Sequence, residues 1–536
     1  MKHPQKISRP PTREEQAAAE VGITSFAKGA RTLAIAVLCL IVGLIPLYEI
    51  LTANRSPKDG PSTSPSPNAT PSSFHLPTAS ELQAIEKRLE SASTLHTRLR
   101  PNVQSLLTNL LRCGSHQVLL TNSDWLFYRP DVEHLTAPPF LSPSNLHKRR
   151  QNPSIQPDPL VAIRDFNRQL RERDIQLIIV PIPSKAAIES NRLGKPGLGL
   201  PENPSLQPFL AALNAEGIHT IDLRSTLRSQ ESRNADTPLY LRTDTHWTPT
   251  TMRIAAHAIA KLVSANPSPT EIPTTPSQIS HRGDLVPMLG LNDETAKRFI
   301  ESVQIQQVTN GSGLWRPSST SDTLLLGDSF ANIFSLESMG WGESAGLAEH
   351  LSHAINQPID AITRNSDGAF ATREMLAAQL KRGNDRLTGK RRVIWAFAER
   401  ELSFGNWKII PLESSEATPS DFLELAPNES VQITATVVAV SHVPRPNSVA
   451  YPDHLCSIHL TDISSPTSSL KANSAIALTW SMRNRTWTQA ARWRPGDRVS
   501  LKLRPWSELE PSLGKINQSS LDDPALLCRT RLGRVG

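Results

Sequence analysis

The chain has 536 residues, a length that exceeds one hydrophobic core and predicts two or three domains with connecting segments. Hydrophobic residues make up 38% of it, enough for globular packing, while 44 prolines indicate long irregular connections. The net charge of +7 is a mild excess spread along the chain. It gives no argument for nucleic-acid binding, and zinc-finger, P-loop and Rossmann glycine signatures are absent from the sequence.

An apolar segment near the amino terminus predicts a membrane anchor at residues 31–51. Basic residues Lys28 and Arg31 precede it, so residues 1–30 would stay in the cytoplasm and the rest of the chain would lie outside it. A cleaved signal peptide is the alternative, but a polar leader of about thirty residues is long for one. We therefore expect a single-pass inner-membrane protein whose folded domains are periplasmic.

Residues 52–78 are rich in Ser, Pro, Thr and Asn, a composition typical of a solvated linker. The segment 79–114 follows with two helical patterns, one over 80–99 and a second that Pro101 opens and that ends near Arg112. This pair is either a stalk or coiled coil, or a helical hairpin packed on the next domain.

Four cysteines carry little information about disulfides. Cys39 lies inside the apolar segment, which leaves Cys113, Cys456 and Cys528, an odd number for an exported chain. A Cys456–Cys528 disulfide in the C-terminal domain would leave Cys113 as a buried thiol. The cysteine spacing fits no metal site, and no metal is expected.

Strands and helices alternate between residues 115 and 410. A strand, turn and strand are expected over 118–128. Continuous apolar runs predict further strands at 175–182, 218–223, 323–326 and 392–397, and helical patterns lie at 159–173, 206–215, 251–263 and 330–339. This alternation predicts an α/β domain, a parallel sheet with helices on both faces.

Two short motifs in this region supply an acid, a base and a nucleophile. Asp244 and His246 lie two residues apart, and Ser329 follows Gly327-Asp directly after a predicted strand. A serine on such a turn is exposed, and the amide groups that open the next helix face the place where an oxyanion would form. Each motif alone is usually a surface loop or a turn, but together they indicate acyl transfer through serine.

After about residue 411 the pattern changes to short alternating runs at 431–440, 475–480 and 498–503. They predict a small C-terminal all-β domain over 411–536, either a barrel or a sandwich. Tryptophans there, Trp487 and Trp493 among them, are interleaved with arginines. They would either form a platform for sugar rings or fill the core of the small domain.

Five stretches together resemble the periplasmic alginate O-acetyltransferases of the AlgJ/AlgX type, which carry an SGNH-hydrolase-like domain. They are Trp125-Leu-Phe-Tyr, Val180-Pro-Ile-Pro-Ser-Lys, Tyr240-Leu-Arg-Thr-Asp-Thr-His-Trp-Thr-Pro, Leu326-Gly-Asp-Ser-Phe and Val393-Ile-Trp-Ala-Phe-Ala-Glu-Arg. Asp-Thr-His-Trp ahead of Gly-Asp-Ser is the specific element, because ordinary SGNH hydrolases place the nucleophile first. The resemblance covers about residues 115–402, and the C-terminal region does not look like the carbohydrate-binding module of the alginate enzymes.

The chain departs from the family pattern at two positions. Thr251 stands where a glycine often follows Thr-Pro, and Glu401 stands where an aromatic residue often follows Glu-Arg. Both departures leave the three catalytic candidates intact and leave the identity of the substrate open.

The resemblance implies Asp244, His246 and Ser329 as a catalytic triad without a cofactor. Candidate oxyanion donors are the Ser329 amide, Asn332, Asn365 and Arg373, and candidate substrate-binding residues are Trp247, Lys185, Arg400, Trp487 and Trp493. The implied partners are a polysaccharide acceptor and a membrane-bound O-acyltransferase that passes on the acetyl group. A glycan O-acetyl esterase with the same triad, or a non-catalytic glycan-binding scaffold, remain alternatives.

Overall fold

The computed structural model of the protein describes Thr32 and residues 94–193, 202–231, 237–263, 272–310, 313–365, 368–381, 383–413, 422–446, 449, 451–466, 470, 472–514, 516–519, 521, 526 and 531–534. The chain divides into two units, Met1–Val103 and Gln104–Gly536. In the described part no helix is long and apolar enough to cross a membrane. Except for Thr32, the predicted anchor at 31–51 lies outside the described residues, as does the linker at 52–78.

The helices are α1 (Thr94–Leu111), α2 (Arg129–Thr136), α3 (Pro143–Arg150), α4 (Pro159–Arg171), α5 (Lys185–Ile188), α6 (Ser190–Leu193), α7 (Leu206–Ala215), α8 (Leu223–Glu231), α9 (Pro249–Val263), α10 (Leu285–Leu289), α11 (Asp293–Ala296), α12 (Ser329–Asn332), α13 (Leu347–Ile355), α14 (Ala371–Lys381), α15 (Glu401–Phe404) and α16 (Trp506–Leu513). The strands are β1 (Val118–Leu120), β2 (Leu126–Tyr128), β3 (Gln176–Ile182), β4 (His219–Thr220), β5 (Thr274–His281), β6 (Glu301–Asn310), β7 (Gly313–Leu314), β8 (Thr323–Gly327), β9 (Asp360–Thr363), β10 (Arg392–Ala398), β11 (Val431–Val440), β12 (His454–Ser464), β13 (Ser474–Arg483), β14 (Thr486–Trp487), β15 (Arg498–Pro505), β16 (Asn517–Ser519) and β17 (Arg531–Arg534).

The central sheet has the order β4-β3-β10-β8-β9, and all its neighbouring strands are parallel. Alternate side chains of β3, β8 and β10 enter two separate cores. Helices α8, α9 and α13 cover one face, and α4, α7 and α14 cover the other. Burial on both faces explains the continuous apolar runs of β3, β8 and β10. The predicted parallel sheet with helices on both faces is therefore confirmed.

Two sequence predictions within this domain are wrong in detail, and one strand is missed. The strand expected at 218–223 is only His219–Thr220, because α8 already begins at Leu223. The helix expected over 330–339 is only the short α12 and a 3-10 turn at Glu337–Met339. Its apolar residues do not form one helical stripe, since the chain turns after Asn332 to bury consecutive residues Ile333 and Phe334 in the same core. The missed strand is β9, Asp-Ala-Ile-Thr, which has no continuous apolar run to reveal it in the sequence.

Helix α1 also differs from the prediction. It runs through Pro101 without a break, although this proline was expected to open a new helix. Proline lacks only its own amide donor, so a continuing helix loses one backbone hydrogen bond there and accepts a kink or strain. Cys113, expected to be a buried thiol, is exposed just beyond the helix end. Cys456 is a buried free thiol whose pKa burial raises to about 12, and Cys528 lies outside the described residues.

The C-terminal strands form a closed barrel. The order β13-β17-β15-β11-β12 closes through a further pairing between β12 and β13. The short strands β14 and β16 pair with β13 and β12 respectively. Buried and exposed residues alternate along β15. One face of this strand therefore points into the barrel core and the other points to solvent, as in a small barrel. The barrel alternative of the sequence prediction is confirmed, but the domain is not all-β, because α16 packs against β15 and β17.

Candidate active site

The turn after β8 places Ser329 at the carboxyl edge of the parallel sheet. Gly327 ends the strand, and a Cβ atom there would lie 2.5 Å from the Cβ of Ala331, so only glycine fits without displacement. Asp328 fixes the turn with both carboxylate oxygens. Its Oδ1 accepts the Phe330 amide at 2.9 Å, and its Oδ2 accepts the Ala398 amide at the end of β10 at 2.6 Å. Ser329 therefore sits on a turn tied to two strands.

A short loop between Tyr240 and Trp247 carries the imidazole to this serine. These two residues form an antiparallel bridge, and the Leu241 amide donates to the His246 carbonyl at 3.0 Å. His246 Nε2 lies 2.9 Å from Ser329 Oγ, and His246 Nδ1 lies 2.6 Å from Asp244 Oδ1. The structure thus joins the three predicted catalytic residues into one hydrogen-bonded chain.

Asp244 is buried and fully hydrogen-bonded. Its Oδ2 accepts the Trp341 indole N–H at 2.8 Å and the Asp284 amide at 2.9 Å. Burial alone would raise the pKa of Asp244, but the hydrogen bonds from His246 and Trp341 and the charge of His246 outweigh it, so the pKa lies below its usual range. Asp244 is therefore ionised and holds His246 Nδ1 in its protonated form.

A second buried carboxylate, that of Asp284, faces the same imidazole. Its Oδ1 accepts the Thr245 amide at 2.7 Å, and its Oδ2 lies 3.8 Å from His246 Nδ1. Burial and the charge of Asp244 raise the pKa of Asp284. Burial lowers the pKa of His246, but the hydrogen bond and charge of Asp244, together with the charge of Asp284, outweigh it and leave that pKa raised. Sequence reasoning missed Asp284 because a Gly-Asp pair on a loop gives no local signal.

These three groups also meet a geometric criterion for cation binding. The candidate ligand atoms of Asp244, His246 and Asp284 all lie within 4.8 Å of one another. His246 Nδ1 and Asp244 Oδ1 are already hydrogen-bonded to each other at 2.6 Å. A cation would have to break this bond, so the residues present fit an acid that orients a catalytic base better than they fit a metal centre.

Lys185 and Trp247, two predicted substrate-binding residues, are buried beneath the Asp244–His246 loop. Lys185 donates to the carbonyls of Leu126, Arg242 and Asp244, and burial lowers its pKa to about 8. Trp247 is fully buried, with its ring 5.4 Å from that of Phe330. Neither side chain is accessible to a substrate, so their assignment to substrate contact is wrong. Both shape the Asp244–His246 loop.

The remaining substrate-binding candidates divide between core and surface. Trp493 packs in the barrel core and is 8% exposed, so a sugar platform that includes it is wrong. Trp487 is half-buried, and its indole donates to the Pro444 carbonyl. Arg400 pairs with Asp131 at 3.0 Å. Burial would lower the pKa of Arg400, but the charges of Asp131 and Glu401 outweigh it and raise that pKa.

Of the candidate oxyanion donors, Asn332 and Asn365 lie together and Arg373 lies elsewhere. Asn332 Nδ2 donates to Asn365 Oδ1 at 2.8 Å, and Asn332 follows Ser329 by one helical turn. The Arg373 guanidinium instead packs 4.5 Å from the Trp395 ring, within the core on the opposite face of the sheet from Phe330. Arg373 is thus excluded as an oxyanion donor.

A cavity of about 190 Å³ opens beside Asn332 and Asn365. The catalytic domain contributes Arg316 and Arg364 to its lining, and the barrel contributes the segment around Asn517 and Gln518. Among the residues that the structure describes, the side-chain amide nitrogen of Asn517 has no hydrogen-bond partner. Amides and guanidinium groups are donors suited to hydroxyl and carboxylate oxygens.

Comparison with known proteins places this domain. Residues 118–399 match the family described as "SGNH hydrolase-like domain, acetyltransferase AlgX". The chain is 27% identical over 320 residues to the "Probable alginate O-acetylase AlgJ" of Pseudomonas aeruginosa, covering 57% of this chain and 75% of that protein. The corresponding protein of Pseudomonas fluorescens is 26% identical over 285 residues, covering 50% and 67%.

Two solved structures are similar as well. The O-acetyltransferase domain of Pseudomonas putida AlgJ has a TM-score of 0.39 at 22% identity, over 54% of this chain and 93% of that one. Pseudomonas aeruginosa AlgX has a TM-score of 0.38 at 14% identity, over 72% and 90%. The family match covers more than half of the chain and agrees with the resemblance found in the motifs. The chain therefore belongs to the AlgX family of SGNH hydrolase-like acetyltransferases.

Proposed function

We propose that the protein transfers acetyl groups to hydroxyls of an exported polysaccharide through an acyl-enzyme on Ser329. The observation that carries this proposal is the hydrogen-bonded chain from Ser329 Oγ through both nitrogens of His246 to Asp244 Oδ1, with distances of 2.9 and 2.6 Å. The names of the relatives, alginate O-acetylases, support a polysaccharide as the acceptor.

The chemistry has two halves that use one base. His246 Nε2 takes the proton of Ser329 Oγ as this oxygen bonds to the acetyl carbon, and the donor oxygen leaves with that proton. His246 then takes a proton from a sugar hydroxyl, whose oxygen bonds to the acetyl carbon while the bond to Ser329 breaks and the serine regains a proton. Asp244 remains ionised throughout and stabilises the imidazolium.

We assign the oxyanion site to the Ser329 amide and Asn332. Asn332 lies one turn after the nucleophile, and its Nδ2 is oriented by Asn365 Oδ1. One such donor is worth roughly 3 kcal/mol of transition-state stabilisation. Asn365 would act by positioning Asn332, since its own Nδ2 lies 3.3 Å from Met339 Sδ.

The acceptor chain would lie in the cavity beside Asn332, between the catalytic domain and the barrel. Sugar hydroxyls match the amides of Asn332, Asn517 and Gln518, and the guanidinium groups of Arg316 and Arg364 match carboxylates. We therefore favour an acidic polysaccharide over a neutral one.

The acetyl donor would be a membrane-bound O-acyltransferase, because acetyl-CoA is cytoplasmic and the catalytic domain is expected outside the cytoplasm. The predicted anchor at 31–51 and the basic residues before it motivate this location. Protease added to spheroplasts should degrade the catalytic domain, and full protection of that domain would contradict the proposed orientation.

Transfer is tested directly by giving the purified protein a small acetyl ester together with an acidic oligosaccharide. The expected result is acetylated sugar, formed by the wild type and lost in Ser329→Ala. An O-acetyl esterase would use the same three residues with water as the acceptor. Release of acetate with no acetylated sugar, for acidic and neutral acceptors alike, would decide for that alternative.

A further inference from the structure

The loop that carries Asp244 and His246 is also held by a strand outside the central sheet. Glu301 is the first residue of β6, and its carboxylate meets the two residues that precede Asp244. Oε2 accepts the Arg242 amide at 3.0 Å, while Oε1 accepts the Thr243 amide at 3.2 Å and the Thr243 hydroxyl at 3.0 Å. One carboxylate thus binds three donors from two consecutive residues.

A side chain of opposite charge holds the same segment. Lys185 donates to the carbonyls of Arg242 and Asp244. Burial lowers the pKa of Lys185, and the charge of Glu301 is the largest of the charges that oppose this effect. The backbone that leads into Asp244 is therefore fixed through its carbonyls by a cation and through its amides by an anion, and both kinds of bond are charge-assisted.

The strand that carries Glu301 is itself fixed independently of this loop. β6 pairs with all eight residues of β5, and the last pair joins His281 to Glu301. Ile305 of β6 is buried in the core beneath α9 and α13. The His281 ring lies 5.3 Å from that of Trp341, whose indole donates to Asp244. Glu301 thus stands on a rigid base and can hold the loop in place rather than follow its movements.

We propose that Glu301 is a positioning residue for acetyl transfer, and that it sets Asp244 against His246 by fixing the backbone before the acid. Asp244 Oδ1 and His246 Nδ1 lie 2.6 Å apart, and a small displacement of the loop would lengthen this bond and weaken it. The inference rests on the proposed function, in which Asp244 orients the base. Its first test needs no acetyl transfer, so the two can fail separately.

The first test is the pKa of His246, measured by NMR titration of the histidine-labelled full chain in mild detergent. The signal is assigned by its loss in His246→Gln. Burial and the charge of Arg400 lower this pKa, whereas Asp244 and Asp284 raise it. In Glu301→Gln the side-chain amide can accept hydrogen bonds on one side only, so one backbone amide of the loop is released. The bond from His246 to Asp244 then weakens, and the pKa of His246 should fall.

Glu294→Gln is the matched control, because it removes the same charge from a side chain that is 82% exposed and should leave the pKa of His246 in place. A merely structural role of Glu301 would lower the unfolding midpoint but leave this pKa unchanged in the molecules that are folded. If Glu301→Gln does not fold, Thr243→Val removes only the hydroxyl bond to Glu301 and should lower the pKa by less. An unchanged pKa in the variant that folds would overturn the proposal.

The second test is the rate at which Ser329 is acetylated by a small acetyl ester. Glu301→Gln should form the acyl-enzyme at least about tenfold more slowly, because the base is less well oriented, with the KM for the ester unchanged. A variant as fast as the wild type would overturn this inference and leave the proposed function intact. A wild type that forms no acyl-enzyme would instead contradict the proposed function, and the pKa of His246 would still decide the role of Glu301.

Discussion

Two carboxylates, rather than one, set the charge state of His246. Asp244 accepts a hydrogen bond from its Nδ1, and Asp284 lies 3.8 Å from the same nitrogen. Both favour the protonated imidazole and raise its pKa. Since the base must be neutral to accept the serine proton, activity should fall as the pH falls through this raised pKa.

Asp284→Asn should therefore move the acid limb of the pH–rate profile to lower pH. The amide keeps the oxygen that accepts the Thr245 amide but removes the carboxylate charge that helps to raise the pKa of His246, so the pKa of the imidazole falls. The measurement is the rate of acyl-enzyme formation against pH. Asp293→Asn, at a side chain that is 95% exposed, is the control and should leave the limb in place. An unshifted limb in Asp284→Asn would contradict this role.

Lys185 stabilises the loop that carries the acid and the base. Its ammonium donates to three backbone carbonyls of two separate segments. Lys185→Met should reduce the free energy of unfolding by roughly 3–5 kcal/mol, because the carbonyls lose a charged donor in a buried place. Denaturant unfolding measures this, with exposed Lys148→Met expected to change little. A loss below about 1 kcal/mol for Lys185→Met would rule out the supporting role.

The loop after β5 packs directly against the backbone of the loop that carries Asp244 and His246. Gly283 has φ of +71°, and a Cβ there would lie 2.3 Å from the Thr243 carbonyl oxygen. Gly290, at the end of α10, has φ of +72° and no atom within 4 Å of such a Cβ. A substitution would strain the left-handed backbone equally at both glycines. Only at Gly283 would the added Cβ also collide with neighbouring atoms.

Gly290→Ala should cost about 1 kcal/mol of stability, the strain of a left-handed conformation, and keep full activity. Gly283→Ala should cost more and slow acyl-enzyme formation by at least about tenfold, because the clash moves Asp284 and the Asp244 loop apart. Unfolding and single-turnover rates are measured for both. Equal effects of the two substitutions would show that contact between these loops is unimportant.

The sequence was most informative where the signal is local. Ser329, His246 and Asp244 lie in short motifs, so the sequence predicts them as a catalytic set. Strands β3, β8 and β10 are continuous apolar runs, so the sequence predicts them as buried strands. Asp284 and Trp341 reach Asp244 from 40 and 97 residues away, and only the fold brings them together. Trp247 and Lys185 lie within stretches that resemble the family, but their burial, which the sequence does not reveal, keeps them from a substrate.

At the scale of the whole molecule, the barrel and the catalytic domain share the wall of the cavity beside Asn332. Arg316 lies there and is exposed, whereas Arg391, also exposed, precedes β10 and does not line the cavity. Arg316→Gln should raise the KM for an acidic polysaccharide several-fold without changing acyl-enzyme formation from a small ester, because remote contacts hold only the polymer. Arg391→Gln should change neither quantity. If the KM is unchanged in both variants, this side of the cavity does not bind the acceptor polysaccharide.

The domain boundaries at residues 114, 410 and 411 remain predictions, as does the location of the anchor. They bear on how the enzyme meets its partners, and the chemistry at Ser329 does not depend on them. The catalytic claim can therefore be tested on its own.

The most direct measurement identifies the residue that carries the acetyl group in the trapped acyl-enzyme. The purified protein is mixed with a small acetyl ester, quenched with acid within the first turnover, digested and analysed by mass spectrometry. We predict one acetyl group on the peptide that contains Ser329, absent from Ser329→Ala and accumulating far more slowly in His246→Ala. Acetyl label on a different residue, or product formation by Ser329→Ala at the wild-type rate, would contradict the account.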